Sequence, residues 1–189
     1  MSSIENPWKI LAERSIYDND WINLTEYDVI NPSGGKGIYG KVHFKHLAIG
    51  IIPLDRDGNI WLVGQYRFPL SEFSWEIPEG GGRMDDSPLD SAKRELLEET
   101  GLHAQDWTRL LTMHLSNSVT DEYAIIWLAR ELEQGIPKPE ETEKLHIRKL
   151  AFEEAYQMVE VGQITDSISV AAIQRLKLMI LDGRIQLRS

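Results

Sequence analysis

Three glutamates with helical spacing, Glu95, Glu98 and Glu99, are the residues of this chain best suited to chemistry. A helix turns by about 100° per residue, so their carboxylates fall within a wedge of roughly 100° and converge on one small volume. Like charges this close repel, and a hard divalent cation such as Mg²⁺ turns that repulsion into ligation. The backbone of Gly80 and Gly81 adds N–H donors for phosphate oxygens. The pattern predicts a magnesium site that handles a diphosphate.

A helix must hold these glutamates, and the sequence marks its two ends. Ser87 suits the N-cap, Pro88 suits the first helical position, and Gly101 supplies a left-handed stop. Arg94 precedes the first glutamate, where its planar fork can neutralise or orient a neighbouring carboxylate. Apolar residues at helical spacing predict the face that packs on the core: Leu89, Ala92, Leu96 and Leu97. We therefore predict a glycine-rich turn that leads into a helix ending at Gly101.

Residues 80–102, called the box below, resemble the signature of the Nudix hydrolases. The matching positions are Gly80, Asp86, Arg94, Glu95, Leu96, Glu98, Glu99, Gly101 and Leu102. One position departs, because the family usually has glutamate where this chain has Asp86. The resemblance implies an α/β/α sandwich in the α/β class and a hydrolase that cleaves phosphoric anhydrides. Asp86, Arg94 and Gly101 are expected to support the site, Asp86 through salt bridges between loop and helix.

The rest of the chain resembles one branch of that family, the ADP-ribose and nucleoside-diphosphate-sugar pyrophosphatases. The similarity lies in a strand-rich N-terminal extension, in residues 64–67 (Gly-Gln-Tyr-Arg) and in residues 75–80 (Trp-Glu-Ile-Pro-Glu-Gly). It implies that residues 1–44 form a dimerisation extension that pairs with a second copy, and that residues 45–189 form the hydrolase domain. The alternative is that the aromatic and aliphatic residues of the extension cover their own domain.

Periodicity and turn residues predict the other elements. The predicted strands are 8–17, 21–29, 38–44, 75–78, 107–116, 122–129 and 146–150, together with a hairpin of 46–53 and 59–66. The predicted helices outside the box are 151–161 and 167–181.

The remaining catalytic groups are expected outside the box. The resemblance implies a general base in the acidic loop before the strand at 146–150, and Glu141 or Glu143 is the candidate, with Glu140 the nearest competitor. Glu143 is also a candidate metal ligand. The resemblance further implies that the backbone carbonyl of Glu79 binds the metal.

Besides Gly80 and Gly81, two further residues are candidates for binding the substrate. Arg67 follows a strand expected to end near the phosphates, and we predict that it contacts a phosphate or the terminal ribose. A surface salt bridge is the alternative. Trp75 is a candidate for stacking on the nucleobase, with a place in the core as its alternative.

Composition narrows the class of protein. A net charge of −10 argues against non-specific binding to nucleic acid or to an anionic membrane. The sequence has no cysteine, no stretch that approaches 18 apolar residues and no basic, apolar leader at its start. We expect a soluble cytoplasmic enzyme with a small-molecule substrate.

The predicted reaction is Mg²⁺-dependent hydrolysis of a nucleoside diphosphate sugar, with Mn²⁺ a possible substitute. Glu95 and Glu99 are the expected core metal ligands, and Glu98 bridges or binds a second ion. ADP-ribose, giving AMP and ribose 5-phosphate, is the first candidate substrate, and a GDP-mannose type is the second. Two alternatives stay open. One is another Nudix pyrophosphohydrolase that cleaves dinucleoside polyphosphates, capped RNA or an oxidised nucleotide, and the other is a non-enzymatic ADP-ribose sensor.

Overall fold

The structure, a computed structural model, describes residues 5–135 and 145–187. The chain divides into two compact units. The first comprises Met1–His46 and His114–Glu122, and the second comprises Leu47–Met113 and Tyr123–Ser189. In the described part of the chain, no helix combines the length and the apolar character needed to cross a membrane.

The first unit is built on a three-stranded antiparallel sheet in the order β1-β2-β3. Its strands are β1 (Lys9–Asp18), β2 (Ile22–Ile30) and β3 (Lys36–Phe44), close to the predicted strands. Asp121 fastens the second segment of this unit to β3, because its carboxylate accepts hydrogen bonds from the Phe44 N–H (3.0 Å) and lies 2.7 Å from His43 Nδ1. The predicted strand-rich N-terminal region is present.

This sheet exposes large apolar side chains. Every residue of β1 is exposed, and the exposed fractions of Ile10, Trp21 and Ile38 are 61%, 58% and 65%. A soluble domain usually buries such side chains, so this surface is suited to being covered.

The described residues of the second unit form two sheets and three helices. The four-stranded sheet has the order β7-β4-β9-β8, and the three-stranded sheet has the order β10-β5-β6. Their strands are β4 (His46–Pro53), β5 (Asn59–Arg67), β6 (Glu72–Glu76), β7 (Glu79–Arg83), β8 (Leu102–His114), β9 (Tyr123–Gln134) and β10 (His146–Ala151). The helices are α1 (Pro88–Thr100), α2 (Phe152–Glu160) and α3 (Ser167–Leu181), as the sequence predicts to within a residue or two.

The core of this unit holds α1 against the four-stranded sheet. It consists of side chains that are almost completely buried: Ile49, Ile51, Ala92, Leu96, Leu102, Ile125 and Ala129. Ala92 and Leu96 carry the predicted apolar stripe of α1 into this cluster. The packing fixes which face of α1 points away from the core, and so where its glutamates lie.

The predicted hairpin of β4 and β5 is wrong. The Asp55 N–H donates to the Asn59 carbonyl at 2.9 Å, and a bridge joins Leu54 to Ile60, so the turn exists, but the strands then separate into different sheets. β4 is buried on both faces from Ile49 to Pro53 and pairs in parallel with β9. Central parallel strands have this continuous apolar character, which outweighs the local turn signal.

The predicted glycine-rich turn is also wrong. Gly80, Gly81 and Gly82 lie on strand β7, and the chain turns afterwards, where the Asp86 N–H donates to the Arg83 carbonyl at 3.1 Å. A Cβ atom on Gly82 would lie 3.0 Å from the Ile49 side chain. Glycine at position 82 therefore allows β7 to pack closely against the Ile49 side chain of β4.

Candidate active site

Helix α1 presents the box glutamates and begins and ends where the sequence indicates. Pro88 occupies its first turn, and Gly101 ends it with a φ of 72° in the left-handed region. Ser87 is the N-cap residue, but its side chain makes no cap hydrogen bond. Instead, its carbonyl accepts from the Asp90 and Ser91 N–H groups, each at 3.0 Å. Side-chain capping by Ser87 is thus a wrong prediction, although the helix starts in the right place.

The three glutamates differ in burial. Glu95 and Glu99 are 9% and 3% exposed, whereas the side chain of Glu98 is 29% exposed. Burying a carboxylate is unfavourable unless positive charge or hydrogen bonds compensate. Glu95 and Glu99 therefore need cationic or hydrogen-bonding partners.

Arg94 supplies part of this compensation. Its guanidinium lies 2.7 Å from a carboxylate oxygen of Glu95 and 2.7 Å from one of Glu98, and it donates to the Gly81 carbonyl at 2.8 Å. Burial works against the charged form of Arg94, but Glu95 and Glu98 raise its pKa above the ordinary value. Arg94 thus ties the glutamates of α1 to the glycine strand β7.

Gly80 allows the closest approach between β7 and α1. A Cβ atom at this position would lie 2.2 to 2.4 Å from the carboxyl atoms of Glu95. No other residue type fits there unless the Glu95 carboxylate moves. The need for glycine here follows from the position of the Glu95 side chain.

Glu79 joins the two elements through its backbone. Its N–H donates to a carboxylate oxygen of Glu99 at 2.9 Å, and its own carboxylate accepts from Arg67 at 2.6 Å. Among the described residues, its buried Oε2 atom has no hydrogen-bond partner. Burial, followed by the negative charges of Asp166 and Glu76, raises the pKa of the Glu79 carboxyl well above its ordinary value, and Arg67 opposes that shift.

Arg67 lies between two carboxylates. Its Nε donates to both oxygens of Glu76 at 2.9 and 3.0 Å, and its Nη2 reaches Glu79. Burial acts to lower the pKa of Arg67, but the two carboxylates raise it by more, so the guanidinium stays charged. The sequence reasoning missed Glu76, which is 3% exposed, although it lies within the segment used to recognise the branch.

Trp75 packs beside Gly64 on the neighbouring strand. A Cβ atom on Gly64 would lie 2.8 Å from the Trp75 ring and 2.5 Å from the Phe73 ring, so glycine makes room for both aromatics. The two rings meet edge to face with centroids 5.3 Å apart. Trp75 is half-buried, Phe73 is exposed, and the role of Trp75 in binding a base stays a prediction.

The N-terminal turn of α3 also reaches the Glu76–Glu79 segment, which sequence reasoning did not anticipate. The Ile77 N–H donates to Ser169 Oγ at 2.9 Å, and Asp166 caps α3 by accepting from the Ser169 N–H at 2.7 Å. The Asp-x-x-Ser spacing is a readable N-cap signal. No local sequence pattern predicts the hydrogen bond between Ser169 and Ile77, because the two residues are 92 positions apart.

One predicted residue, Asp86, contributes less to this geometry. Asp86 is exposed, and within residues 5–135 and 145–187 its side chain forms no ion pair, so its supporting role stays a prediction. Glu140, Glu141 and Glu143 lie outside the described residues. A cavity of about 350 Å³ elsewhere in the second unit has no box residue in its lining, which consists of Leu54, Asp55, Arg56, Arg130, Glu131, Ile185, Gln186 and Leu187.

The donor set suits a hard divalent cation. Glu95, Glu98 and Glu99 offer carboxylate oxygens, and such ions prefer oxygen ligands. In the described part of the chain, no three acidic or histidine side chains form a metal cluster by themselves. The predicted set instead combines the glutamates of α1 with a backbone carbonyl, that of Glu79, and with Glu143.

Comparison with known families assigns the chain. A family model described as the NUDIX domain matches residues 44–169. The chain belongs to the Nudix hydrolases. A second model, the nucleoside diphosphate sugar hydrolase N-terminal domain, matches residues 8–42. The predicted family and its branch are confirmed, and Nudix hydrolases generally need a divalent metal ion.

Relatives extend over nearly the whole Nudix chain. An ADP-ribose pyrophosphatase of Bacillus subtilis (strain 168) is 32% identical over 180 residues, covering 94% of this chain and 96% of the relative. A methanol dehydrogenase activator of Bacillus methanolicus is 32% identical, covering 90% and 92%. An ADP-ribose pyrophosphatase of Mycobacterium tuberculosis (strain ATCC 25618 / H37Rv) is 30% identical, covering 89% and 83%.

A solved structure supports the fold. The crystal structure of an ADP compounds hydrolase has a TM-score of 0.85 with this Nudix chain and covers 97% of it and 100% of the solved chain. At 20% identity, this likeness shows the fold alone. The predicted α/β fold class, with helices and mixed sheets and a strand-rich N-terminal region, is confirmed.

Proposed function

We propose that this enzyme hydrolyses the diphosphate of a nucleoside diphosphate sugar. The observation that carries the proposal is the match of residues 8–42 to the N-terminal domain of nucleoside diphosphate sugar hydrolases, in the same chain as the NUDIX domain. Two relatives named ADP-ribose pyrophosphatase, each aligned over most of this chain, support ADP-ribose as the first substrate. A GDP-mannose type of nucleotide sugar is the second candidate.

Mg²⁺ is the proposed cofactor, with Mn²⁺ as a substitute. The residues that would hold it are Glu95, Glu98, Glu99, Glu143 and the backbone carbonyl of Glu79. When bound, the ion supplies positive charge for the diphosphate oxygens and lowers the pKa of a water. The burial of Glu95 and Glu99 supports this assignment, because buried carboxylates bind a cation with little competition from water.

Other residues of the chain orient the metal ligands and contact the substrate. Arg94 holds Glu95 and Glu98 in place, so the carboxylates meet the ion and substrate already oriented. The backbone of Gly80 and Gly81 lies beside these carboxylates without side chains that would exclude a diphosphate. Arg67 is proposed to contact a phosphate or the terminal ribose while it remains paired with Glu76 and Glu79.

Glu141 or Glu143 is the proposed general base. It accepts the proton of the water that attacks one phosphorus in line, and the bond from that phosphorus to the bridging oxygen breaks. With ADP-ribose, the products are AMP and ribose 5-phosphate. Trp75 is proposed to contact the nucleobase, supported by its place on β6, the strand that also carries Glu76.

We further propose that the enzyme is a cytoplasmic homodimer. Residues 1–44 form the dimerisation extension in this proposal, and residues 45–189 form the hydrolase domain. The exposed apolar side chains of β1 and β3, and of Trp21 directly before β2, support an interface there, because burying such side chains stabilises association. The absence of cysteine is consistent with a reducing compartment.

A substrate panel tests the proposed function. The purified enzyme is given Mg²⁺ and one of five substrates, and release of nucleoside monophosphate is measured with and without EDTA. The substrates are ADP-ribose, GDP-mannose, UDP-glucose, diadenosine polyphosphate and 8-oxo-dGTP. We expect fast, EDTA-sensitive turnover of ADP-ribose, of GDP-mannose or of both.

Two other results would redirect the assignment. Turnover confined to diadenosine polyphosphate or 8-oxo-dGTP would keep the Nudix chemistry and contradict the nucleotide-sugar branch. Binding of ADP-ribose by a folded protein that cleaves none of the five would favour a sensor.

A further inference from the structure

Three elements hold the segment Ile77, Pro78 and Glu79 by one hydrogen bond each. The Ile77 N–H donates to Ser169 Oγ on α3, the Pro78 carbonyl accepts from the Ile51 N–H on β4, and the Glu79 N–H donates to Glu99 on α1. Proline has no N–H, so the two backbone donors of the segment are both used. The position of the Glu79 backbone is thereby set from three directions.

Ser169 differs from the other two partners. Ile51 contributes a backbone group and Glu99 is a box carboxylate, whereas Ser169 is a fully buried side chain that lies outside the box. Asp166 fixes its position by accepting from the Ser169 N–H at 2.7 Å. The hydroxyl is therefore presented to Ile77 from a capped helix end.

Side-chain packing reinforces the hydrogen bond. A Cβ atom on Gly50 would lie 2.6 Å from Ile168 Cγ2 and 3.2 Å from Ile77 Cδ1. The side chains of Ile168, from α3, and of Ile77 thus both pack against the bare backbone of β4 at Gly50. The first turn of α3 and the segment at Ile77 form one packed unit.

We propose that Ser169 is a positioning residue of the active site, which sets the backbone of Glu79 through Ile77. The inference rests on the proposed function, in which the Glu79 carbonyl and Glu99 bind the metal ion. Loss of the Ser169 hydroxyl leaves the Ile77 N–H buried without an acceptor, and the segment shifts to find one. Groups that support metal ligands from behind typically change metal affinity by about 10- to 100-fold when removed.

Direct Mn²⁺ binding tests the proposal without turnover. Free Mn²⁺ is followed by its electron paramagnetic resonance signal while it is titrated into the full-length protein. We expect Ser169→Ala to raise the Mn²⁺ dissociation constant about tenfold, the lower end of that range. Ser169→Thr keeps an acceptor hydroxyl, and we expect it to restore most of the affinity.

Ile173→Val is the matched control for general loss of stability. Ile173 is fully buried on the same helix, and its substitution removes one methyl group without removing a hydrogen bond. We expect it to lower the melting temperature and leave Mn²⁺ affinity unchanged. Equal weakening in Ile173→Val and Ser169→Ala would overturn the positioning role, as would wild-type affinity in Ser169→Ala.

Glu99→Gln separates this inference from the proposed function. If Glu99→Gln weakens Mn²⁺ binding while Ser169→Ala does not, the metal site is right and the role of Ser169 is wrong. If Glu99→Gln binds Mn²⁺ like the wild type, the metal site is wrong and the inference falls with it. Should Ser169→Ala not fold, Ser169→Cys has a weaker acceptor, and unchanged affinity in that variant would also contradict the proposal.

Discussion

The box helix and the N-terminal sheet place opposite kinds of side chain in unfavourable surroundings. On α1, Glu95 and Glu99 are 9% and 3% exposed, whereas Ile10 of β1 and Trp21, directly before β2, are 61% and 58% exposed. Charge is buried in one region, and apolar surface meets water in the other. Both arrangements cost free energy in the chain alone.

The difference indicates what each region is suited to bind. Buried carboxylates gain most from positive charge, of which Arg94 supplies a part. Exposed aliphatic and aromatic side chains gain most from another apolar surface. The same reasoning therefore predicts that the box helix binds a cation and that the N-terminal sheet binds a protein surface. Each of these two predictions can be tested by changing one side chain.

The largest effect is expected from Glu99→Gln. Glutamine nearly keeps the shape of the side chain and removes its charge, so the fold should persist while the cation loses a ligand. We expect kcat to fall about 10²- to 10³-fold, as when one group that stabilises transition-state charge is removed. Steady-state kinetics at saturating Mg²⁺, with circular dichroism as the control for folding, measure this. Near-normal turnover in both Glu99→Gln and Glu98→Gln would remove the basis for the metal assignment.

Gly80→Ala should affect the same region by a steric clash, without removing a charge. Its Cβ would lie 2.2 to 2.4 Å from the Glu95 carboxyl group, which must move aside. Misplacing a catalytic group by about 1 Å costs up to 10²-fold in rate, so we expect a loss near that size with little change in melting temperature. Gly162→Ala tests the specificity of the effect, because a Cβ there meets no atom within 4 Å, although its φ of 74° will lower stability slightly. Comparable activity losses in the two variants would contradict the steric explanation.

Ile10→Asp addresses the opposite region. An aspartate in the proposed interface removes about 1.5–3 kcal/mol of apolar burial per side chain, so dimer affinity should fall at least about tenfold. Light scattering across a dilution series measures the mass of wild type and variant. Ser33→Asp adds the same charge at an exposed loop position and should leave the mass unchanged. A monomeric wild type at high concentration would contradict the homodimer.

Asp55 serves for comparison, because its carboxylate is already paired with a cationic side chain, that of Lys149. We expect the smallest effect from its substitution. Lys149 lies 2.8 Å away, and the Asn59 N–H donates at 2.8 Å. Burial acts to raise the pKa of Asp55, but these partners lower it below its ordinary 3.8. A lowered folded-state pKa stabilises the protein above pH 3.8, and that contribution disappears as the pH falls through the folded value.

We therefore expect Asp55→Asn to reduce the free energy of unfolding at pH 7 by about 1 kcal/mol, since Lys149 is half-exposed and its attraction is screened. The difference from wild type should shrink as the pH falls below 3.8 and through the lowered folded-state pKa of Asp55. Urea denaturation at a series of pH values measures it. A constant difference across that range would show that the charge of Asp55 is not the cause.

Local signals in the sequence were sufficient for the helices and for the content of most strands. Pro88 and Gly101 mark the two ends of α1 without any tertiary information. The common face of Glu95, Glu98 and Glu99 stays a prediction from their spacing. The pairing of strands depended on distant partners. β4 and β5 are neighbours in sequence but lie in different sheets, since β4 pairs with β9 and β5 pairs with β10 and β6.

At the site, too, the sequence identifies residues but not their distant partners. Arg67 could be named from its motif, but its two carboxylate partners depend on where β6 and β7 place Glu76 and Glu79. Gly80 was assigned to a turn because glycine favours turns, whereas the structure uses it for contact with Glu95. Sequence patterns reveal which residues are unusual, and packing decides which of their properties is used.

The hydrogen bond between Ile77 and Ser169 also has a consequence for how the chain matures during synthesis. The two residues are 92 positions apart. A ribosome that adds about 5–20 residues per second therefore releases Ile77 roughly 5–20 s before Ser169. The box helix emerges within the first part of that interval, and its supporting segment then still lacks one of its three hydrogen-bond partners. With the proposed role of Ser169, the active site of each new molecule is completed only when the start of α3 has left the ribosome.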